Sequence, residues 1–393
     1  MAACGRRLVQ LGRLSGTGFL GSPSGFHRGF SRIDGYVHYY GKLKNHEGML
    51  RDSARNEAYD AALARAAPKL RGATVMDIGT GSGILALLAA KHGARKVYAV
   101  EGSPEIARVA SRLARANGYA GVVEVIPKHL EDVTVEEVEQ VDVIVSELFS
   151  HFLVGELGLQ AVTHAVKRFL KPGGLVLPAA AWLKLSPFED PSLGAELRAR
   201  HGFWQNDDFM GFDLTSALPL AVEQQMKELV LDIVDPNELL VSPADSPGHF
   251  LDLAGPKDVE DWRKIDFELK FPERSKDALI DGLCGWWDAI FSGDGMGEVG
   301  EVPVLSTSPA APLTVWAHCR FMLSRPLKAS AMDKLRVQCQ LRSHKLRESY
   351  TLSMELCNDT TRERASVGPV ELSDVYARHF ARPNPFPLKT EAG

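Results

Sequence analysis

No apolar run in the 393 residues approaches the roughly 20 needed to cross a bilayer, the longest candidates, such as ILALLAA at 84 to 90, being far shorter. That reading leaves no candidate for a membrane-spanning helix. Cysteine is scarce: the five present (Cys4, Cys284, Cys319, Cys339, Cys357) form no CxxC pair and have no His-rich spacing. That pattern argues against a zinc or other metal site and against a disulfide framework, and fits inert thiols in a reducing compartment. A basic excess is missing as well. With a formal net charge of -5 the chain has no broad footprint for nucleic acid, and its mildly acidic surface suits a cationic partner. Internal repeats and long low-complexity segments are absent. What remains, 45% hydrophobic and 24% charged residues, is ordinary for a soluble folded protein of two domains, or one large domain with an appendage.

The first 32 residues lack something too: Arg6, Arg7, Arg13, Arg28 and Arg32 occur with no acid before Asp34. Leu8, Leu11 and Leu14 share a helical face opposite Arg6 and Arg13, as in an organellar presequence. The stretch RGFS, Arg28 to Ser31, resembles a mitochondrial processing site. Two expectations stand for residues 1–30: a cleaved presequence and a mitochondrial protein, or a disordered basic tail and a cytoplasmic and nuclear one.

From residue 71 the text alternates strand and helix. Val75 and Met76 lie in an apolar strand, a glycine loop follows, and Ile84 to His92 has helical character closed by Gly93. KVYAVE is a buried β-branched strand, Ser103-Pro104 supplies an N-cap and a first-turn proline, and VVEVIP and VDVIVSE are further strands. Such alternation predicts a doubly wound α/β domain, residues 31–178, with a Rossmann-like parallel sheet and ligands at the carboxyl ends of its strands. Pro172-Gly173-Gly174 marks a turn. Beyond it the runs AWLKLSPF, KELVLDIV, KIDFELKF, LTVWAHCRFML, KLRVQCQL and SYTLSMEL predict a second, mainly antiparallel, barrel-like domain over 179–393. An insertion at about 190–222 carries Phe203, Trp204, Phe209 and Phe212, more aromatic surface than it can bury alone.

In VMDIGTGSG, Gly79, Gly81 and Gly83 let the backbone pass close to a ligand. A pyrophosphate fingerprint needs glycine at its sixth place, where this chain has Ile84, so a dinucleotide dehydrogenase is disfavoured. Asp77 before the loop is placed for a ligand's amino group, and Glu101, closing the next strand, for ribose hydroxyls. With VIPKHLEDV, the set resembles the S-adenosylmethionine site of Rossmann-like methyltransferases.

Glu147 and Glu156 stand nine residues apart in SELFSHFLVGEL, a run otherwise almost uncharged. If the chain turns back between them, both face one crevice. Converging carboxylates need a cation, and a guanidinium's planar fork matches them. The alternative is a helix-capping Glu147 and a solvated Glu156.

The same stretch resembles the double-glutamate loop of the protein arginine N-methyltransferases. YVHYYGKLKNHEGMLRDSARNEAY resembles that family's N-terminal helix, FWQNDDFMGFDLTS its dimerisation arm, and GLCGWWDAIF and LSTSPAAPLTVW its barrel segments, over roughly residues 34 to 345. The resemblance implies S-adenosylmethionine as cofactor, arginine-containing protein substrates such as Arg-Gly-rich or basic tails, and a homodimer. It implies cofactor contacts from Tyr40, His46, Met49, Arg55, Asp77, Gly79, Gly81, Gly83, Glu101 and Glu131. Arg55 and Asp77 would hold the methionine end, Glu101 the ribose and Glu131 the adenine amino group. It places Glu147 and Glu156 on the substrate guanidinium as the catalytic pair, with Tyr36, Phe149 and Trp316 beside the substrate.

Two departures qualify it. The family's Thr-His-Trp reads Thr314-Val315-Trp316 here, so the His that would pair with Asp52 is missing, although His318 is near in sequence. Phe149 and His151 stand where asymmetric dimethylating members commonly have Met and Tyr; Phe149 either limits room beside the clamp or simply packs in the loop. The competing readings are a catalytically silent scaffold or partner subunit of the same fold, and a methyltransferase acting on a small molecule.

Overall fold

A pair of helices, α1 (Leu43–Arg51) and α2 (Ser53–Arg65), leads into the first sheet through a short α3 (Ala67–Leu70). Asp52 is the joint between the first two, and its side chain caps α2 by accepting the Arg55 N–H. The computed structural model describes residues 39–156, 158–255, 258–274, 276–291, 304–344 and 349–378. The expected presequence, Cys4 and Tyr36 lie outside the described residues.

Five parallel strands follow: β1 (Thr74–Ile78), β2 (Lys96–Val100), β3 (Val123–Ile126), β4 (Val141–Ser146) and β5 (Leu170–Leu177), in the order β3-β2-β1-β4-β5. All five residues of β1 are buried, as a central parallel strand covered on both faces requires. The helices between strands are α4 (Ile84–Lys91), α5 (Pro104–Ala116) and α6 (Gly158–Phe169). The chain steps from β1 outward through β2 to β3, then crosses back to β4 on β1's other side. The strand order therefore reverses between β1 and β4, and a crevice opens at their carboxyl ends. The glycine loop leaves β1 there, and Glu147 leaves β4.

Pro172-Gly173-Gly174 turns as expected, within the span of β5: Gly173 takes φ +75° directly after the proline, and the ladder to β4 shifts register between Val141 and Val143, so the turn is carried as a bulge in the strand. Ser103 does occupy the N-cap position of α5, but its hydroxyl turns to Glu105 and makes no capping bond.

The second sheet joins β8 (Gly248–Asp252), β6 (Ala180–Phe188), β10 (Ala278–Ile290), β12 (His318–Ala329), β7 (Glu228–Asp232), β15 (Arg364–Ala377), β14 (Ser349–Asn358), β13 (Leu335–His344) and β9 (Lys264–Lys270), in that order, with β11 (Val304–Ser306) beside β10. Its ladders are antiparallel except β15 with β7. Sequence runs anticipated β6, β7, β9, β13 and β14. They did not anticipate β8, which is short and flanked by Pro247, or β15, which contains Gly368-Pro369. The run LTVW is not strand: Thr314 to Ala317 form a turn, with the Ala317 N–H on the Thr314 carbonyl at 3.2 Å and Ala317 at φ +51°, and β12 starts only at His318.

Between β6 and β7 the chain makes an arm from α7 (Pro191–Arg200), irregular turns and α8 (Leu218–Gln225). Its tip exposes Phe203, Phe209, Met210 and Phe212, Met210 to 84%. At its root the fully buried Arg320 guanidinium pairs with Asp190, Asp232 and Glu238, and Arg378 adds bonds to Asp190 and Glu196. Cys284, Cys319, Cys339 and Cys357 are buried free thiols.

Candidate active site

The glycine loop takes the conformation its residues allow. Gly79, Gly81 and Gly83 have φ of +65°, +54° and +87°, in the left-handed region where a side chain is strained. Space is closed as well: a Cβ on Gly79 would lie 2.5 Å from Leu148 Cδ2, and one on Gly81 2.9 Å from His46 Cε1. So Leu148, between the two acids of interest, rests on the loop from one side, and the His46 ring of α1 rests on it from another.

Asp77 ends in full burial beneath the loop. Its Oδ2 accepts the Thr80 hydroxyl at 2.5 Å, while Oδ1 is buried without a partner. Burial raises its pKa to about 7, against the opposing hydrogen bond from Thr80. Glu101 accepts the Gly81 N–H at 2.9 Å on Oε2 and the Ser103 N–H at 2.8 Å on Oε1. Backbone amides thus fix its carboxylate at the end of β2, leaving the remaining lone pairs as acceptors. An orphaned buried carboxylate oxygen and a cradle that admits no Cβ fit a ligand bearing an amine and hydroxyls. Glu131 is exposed on a single 3₁₀ turn after β3, whose Leu130 is buried, and among the described residues no hydrogen bond or ion pair joins it to the other site residues.

After β4 the chain makes a tight hairpin. Ser150 and Leu153 exchange backbone hydrogen bonds at 3.1 and 3.0 Å, Leu153 takes φ +58°, and the Ser150 hydroxyl accepts the Gly155 N–H at 2.6 Å. Glu156 is thereby carried back toward the segment that holds Glu147. Both acids meet the N-terminal segment. The Arg55 guanidinium sits on Glu147 Oε2, with Nε at 2.8 Å and Nη2 at 2.7 Å, and Glu156 accepts the Tyr40 hydroxyl at 3.4 Å.

The first of these contacts joins two residues that the resemblance gives to different ligands: Arg55, given to the cofactor carboxylate, and Glu147, given to the substrate guanidinium, lie on each other, each side chain only 6% exposed. Burial pushes the Glu147 pKa up, and the Arg55 charge opposes the shift; burial is also the largest single influence on Arg55 and lowers its pKa, but Glu147, Tyr59 and Asp52 together outweigh it and hold Arg55 above its usual value. Arg55 Nη1 also donates to Asn56 Oδ1 at 2.8 Å, and the Met49 carbonyl accepts from Asn56 Nδ2 at 3.3 Å. Met49 therefore contributes its backbone to this cluster. His46 is buried, its Nε2 2.6 Å from the Tyr40 carbonyl.

Trp316 and Phe149, expected beside the substrate, are core residues. The Trp316 indole is buried, donates to the Phe149 carbonyl at 2.9 Å, and stands edge-on to Trp287. The Phe149 ring is also edge-on to Trp287, at 5.2 Å, and only its amide reaches Glu147, at 3.3 Å. This is the packing alternative for Phe149. His151 faces the same barrel turn, its Nδ1 2.7 Å from the Trp316 carbonyl, and burial lowers its pKa to about 4.

The missing barrel His has a backbone substitute. Asp52 Oδ2 accepts the Val315 N–H at 2.9 Å while Oδ1 caps α2 through Arg55 N–H, also 2.9 Å. His318 does not take part: buried at the start of β12, its Nδ1 accepts the Val234 N–H at 2.9 Å. Sequence reasoning missed Tyr59, fully buried on α2, whose hydroxyl donates to the Ser146 carbonyl at 2.8 Å and ties the helix to the end of β4. No motif marked it; its position on the inner side of α2 is the only signal.

Residues 61–179 match the family model described as ribosomal protein L11 methyltransferase, and residues 180–359 that of the arginine methyltransferase oligomerization subdomain. The chain is 35% identical over 365 residues to a protein of Oryza sativa subsp. indica named probable histone-arginine methyltransferase CARM1, covering 91% of this chain and 66% of that one. It thus spans just under two thirds of that relative's length. Among solved structures it is similar to protein arginine methyltransferase 10 of Arabidopsis thaliana, with a TM-score of 0.72 and 26% identity over 84% of this chain and 98% of that one. The Trypanosoma brucei PRMT1 enzyme-prozyme heterotetrameric complex with AdoHcy shares the fold at a TM-score of 0.70 and 24% identity, over 83% of this chain and 98% of that one.

Proposed function

Because the chain belongs to the protein arginine methyltransferase family, we propose that it transfers a methyl group from S-adenosylmethionine to a guanidinium nitrogen of arginine in protein substrates. The observation that carries this reading is the contact between Leu148 and Gly79. It makes the glycine cradle and the Glu147–Glu156 hairpin share one wall at the switch point, so donor and acceptor sites adjoin.

S-adenosylmethionine, when bound, supplies an electrophilic methyl on a sulfonium. The residues that would hold it are Arg55, Asp77 and His46 at the amino-acid end, Gly79, Gly81 and Gly83 beneath, Glu101 at the ribose and Glu131 at the base, with Tyr40 and Met49 from the N-terminal segment. The chain's own work is alignment and charge. Glu147 Oε1 accepts the Phe149 N–H at 3.3 Å and keeps its other lone pair for a substrate guanidinium, since Arg55 occupies only Oε2. Hydrogen bonds from the guanidinium to Glu147 and Glu156 draw its positive charge toward the carboxylates and leave the attacking nitrogen more nucleophilic. Glu156, which accepts the Tyr40 hydroxyl, accepts the proton released after transfer.

Basic or Arg-Gly-rich tails are the substrates we propose, supported by the paired acids and the net charge of -5. A homodimer through the exposed aromatic tip of the arm, a mitochondrial location for a chain cleaved near Phe30, and a cytoplasmic and nuclear one for an uncleaved chain belong to the same proposal. The second reading, a silent partner subunit, is favoured by Val315 in place of His; the Val315 amide on Asp52 weighs against it. The test is Glu156→Gln. Loss of methyl transfer to an Arg-Gly-rich peptide with retained binding of S-adenosylhomocysteine supports the role given to Glu156, and undiminished transfer contradicts it.

A further inference from the structure

Three consecutive carbonyls of the hairpin after β4 are taken by side chains of the barrel-like domain. The Trp316 indole donates to Phe149, the Trp287 Nε1–H to Ser150 at 3.1 Å, and the Cys319 thiol to His151 at 3.3 Å. The Ser150 carbonyl also accepts the Leu153 N–H at 3.0 Å, so both of its lone pairs are used. Burial pushes the Cys319 pKa well above its usual value, which keeps the thiol protonated and able to donate. The next residue plugs the barrel wall: buried Phe152 lies edge-on to Phe321, and a Cβ on Gly285 would meet Phe152 Cε2 at 2.7 Å. Gly285 stands opposite Cys319 in the ladder of β10 with β12; Trp287 shares its face of β10, and Phe321 shares the face of Cys319 on β12.

These contacts hold the turn between the two acids. Glu147 precedes the three carbonyls, and Glu156 follows Gly155, whose N–H closes on the Ser150 hydroxyl at 2.6 Å. Leu148 rests on Gly79 of the glycine loop, so the hairpin is gripped from the cofactor cradle on one side and from the barrel on the other. Glu147 has the Arg55 pair to fix it as well. Glu156 lies on the returning limb, and its place follows from the closure of the turn.

We propose that Trp287 and Cys319 are positioning residues of methyl transfer, a role that rests on the methyltransferase reading: by holding the Ser150 and His151 carbonyls they set Glu156 opposite Glu147. Removing a donor leaves a buried carbonyl short of a partner, and the turn relieves this by moving. A shift of about 1 Å at a reacting group costs on the order of 100-fold in rate. Trp286 supplies the control. It precedes Trp287 on the opposite face of β10, is buried in the apolar cluster of Phe188, Leu193 and Leu197, and its Nε1 has no hydrogen-bond partner among the described residues.

The test compares the full chain with Trp287→Phe and Trp286→Phe in steady-state transfer to an Arg-Gly-rich peptide, S-adenosylhomocysteine binding and amide hydrogen exchange. Expected for Trp287→Phe is a kcat lower by about tenfold or more, with KM and the Kd for S-adenosylhomocysteine within about twofold of the parent. Exchange at Leu153 and Gly155 quickens in the same variant, and Trp286→Phe shows none of these changes. Cys319→Ala lowers kcat by a smaller factor, because a thiol is a weak donor, and Cys319→Ser, which keeps a donor, recovers it. An unchanged kcat in Trp287→Phe overturns the proposal, as does an equal loss in both Trp variants or a loss carried by KM or by cofactor binding. If Trp287→Phe does not fold, an unchanged kcat in Cys319→Ala overturns it instead. A parent chain that labels no arginine refutes the methyltransferase reading; exchange needs no turnover, and unchanged exchange at Leu153 and Gly155 then overturns the hold of the barrel on the turn.

Discussion

Arg55 donates through Nε and Nη2 to one oxygen of Glu147, at 2.8 and 2.7 Å, in a setting where each side chain is only 6% exposed. The pair links the N-terminal helices to the carboxyl end of β4, so Glu147 has a structural duty beside any role toward substrate. Breaking a buried ion pair leaves an uncompensated charge, which costs about 3–5 kcal/mol. Glu147→Gln is therefore expected to abolish methyl transfer and to lower stability in a urea titration by an amount approaching that range. A variant that is inactive with an unchanged urea midpoint would show that the pair contributes little to the fold.

Asp77 sets a pH dependence of the free protein. Its pKa, raised by burial from the usual 3.8 to about 7, means that the folded chain keeps a proton the unfolded chain loses between those values. Stability from this group is therefore greatest below the unfolded pKa and declines as pH rises toward 7. Asp77→Asn, neutral throughout, should flatten the melting temperature between pH 5 and 8 and weaken S-adenosylmethionine binding. Differential scanning fluorimetry with and without the ligand reads both; an unchanged pH profile contradicts the assignment.

His318 runs the other way. Burial and the Arg320 charge lower its pKa to about 4, so the unfolded chain binds the extra proton. Its contribution is present above about 6.5 and is lost as pH falls toward 4, the loss reaching about 3 kcal/mol once both states are protonated. His318→Gln should reduce the acid-induced fall in melting temperature between pH 7 and 4.5. An equal fall in both proteins would place the acid sensitivity elsewhere.

Asp52 holds the α2 cap and the Val315 amide with its two oxygens. Asp52→Ala is expected to cost about 2–4 kcal/mol, from the lost cap and an unpaired amide. Val315→His should change stability by less than about 1 kcal/mol, because the contact is made by the backbone. Urea midpoints of the two variants check this, and a large loss in Val315→His would show that the side chain matters more than the amide.

The arm tip exposes Phe209 to 40% and Phe212 to 71%. Apolar surface of that kind marks an interface. Replacing both with serine should convert a dimer to a monomer by sedimentation velocity at micromolar concentration; a monomeric parent protein would rule out the homodimer.

The site was readable in the sequence where chemistry demands a particular residue at a particular spacing. The glycines of the loop must adopt positive φ, the acids at the strand ends face the switch point, and the two glutamates flank a hairpin that hides its apolar residues. What could not be read was partner choice. Nothing in SELFSHFLVGEL shows that Arg55, distant in sequence, will reach Glu147, or that Trp316 and Phe149 will bury their rings against Trp287 instead of a substrate. The LTVW run has strand composition, yet its last residues turn because Val315 and Trp316 must serve Asp52 and Phe149 at once. Strands β8 and β15 escaped for a simpler reason: Pro247 and Gly368-Pro369 interrupt the alternation that marks a strand.

Incubation of the full chain with isotope-labelled S-adenosylmethionine and an Arg-Gly-rich peptide, followed by mass spectrometry of the modified residue, tests the central claim. The account predicts label on arginine side-chain nitrogen in the parent protein and none in Glu147→Gln. Label on another residue type, or measurable cofactor binding with no label on arginine, would contradict it.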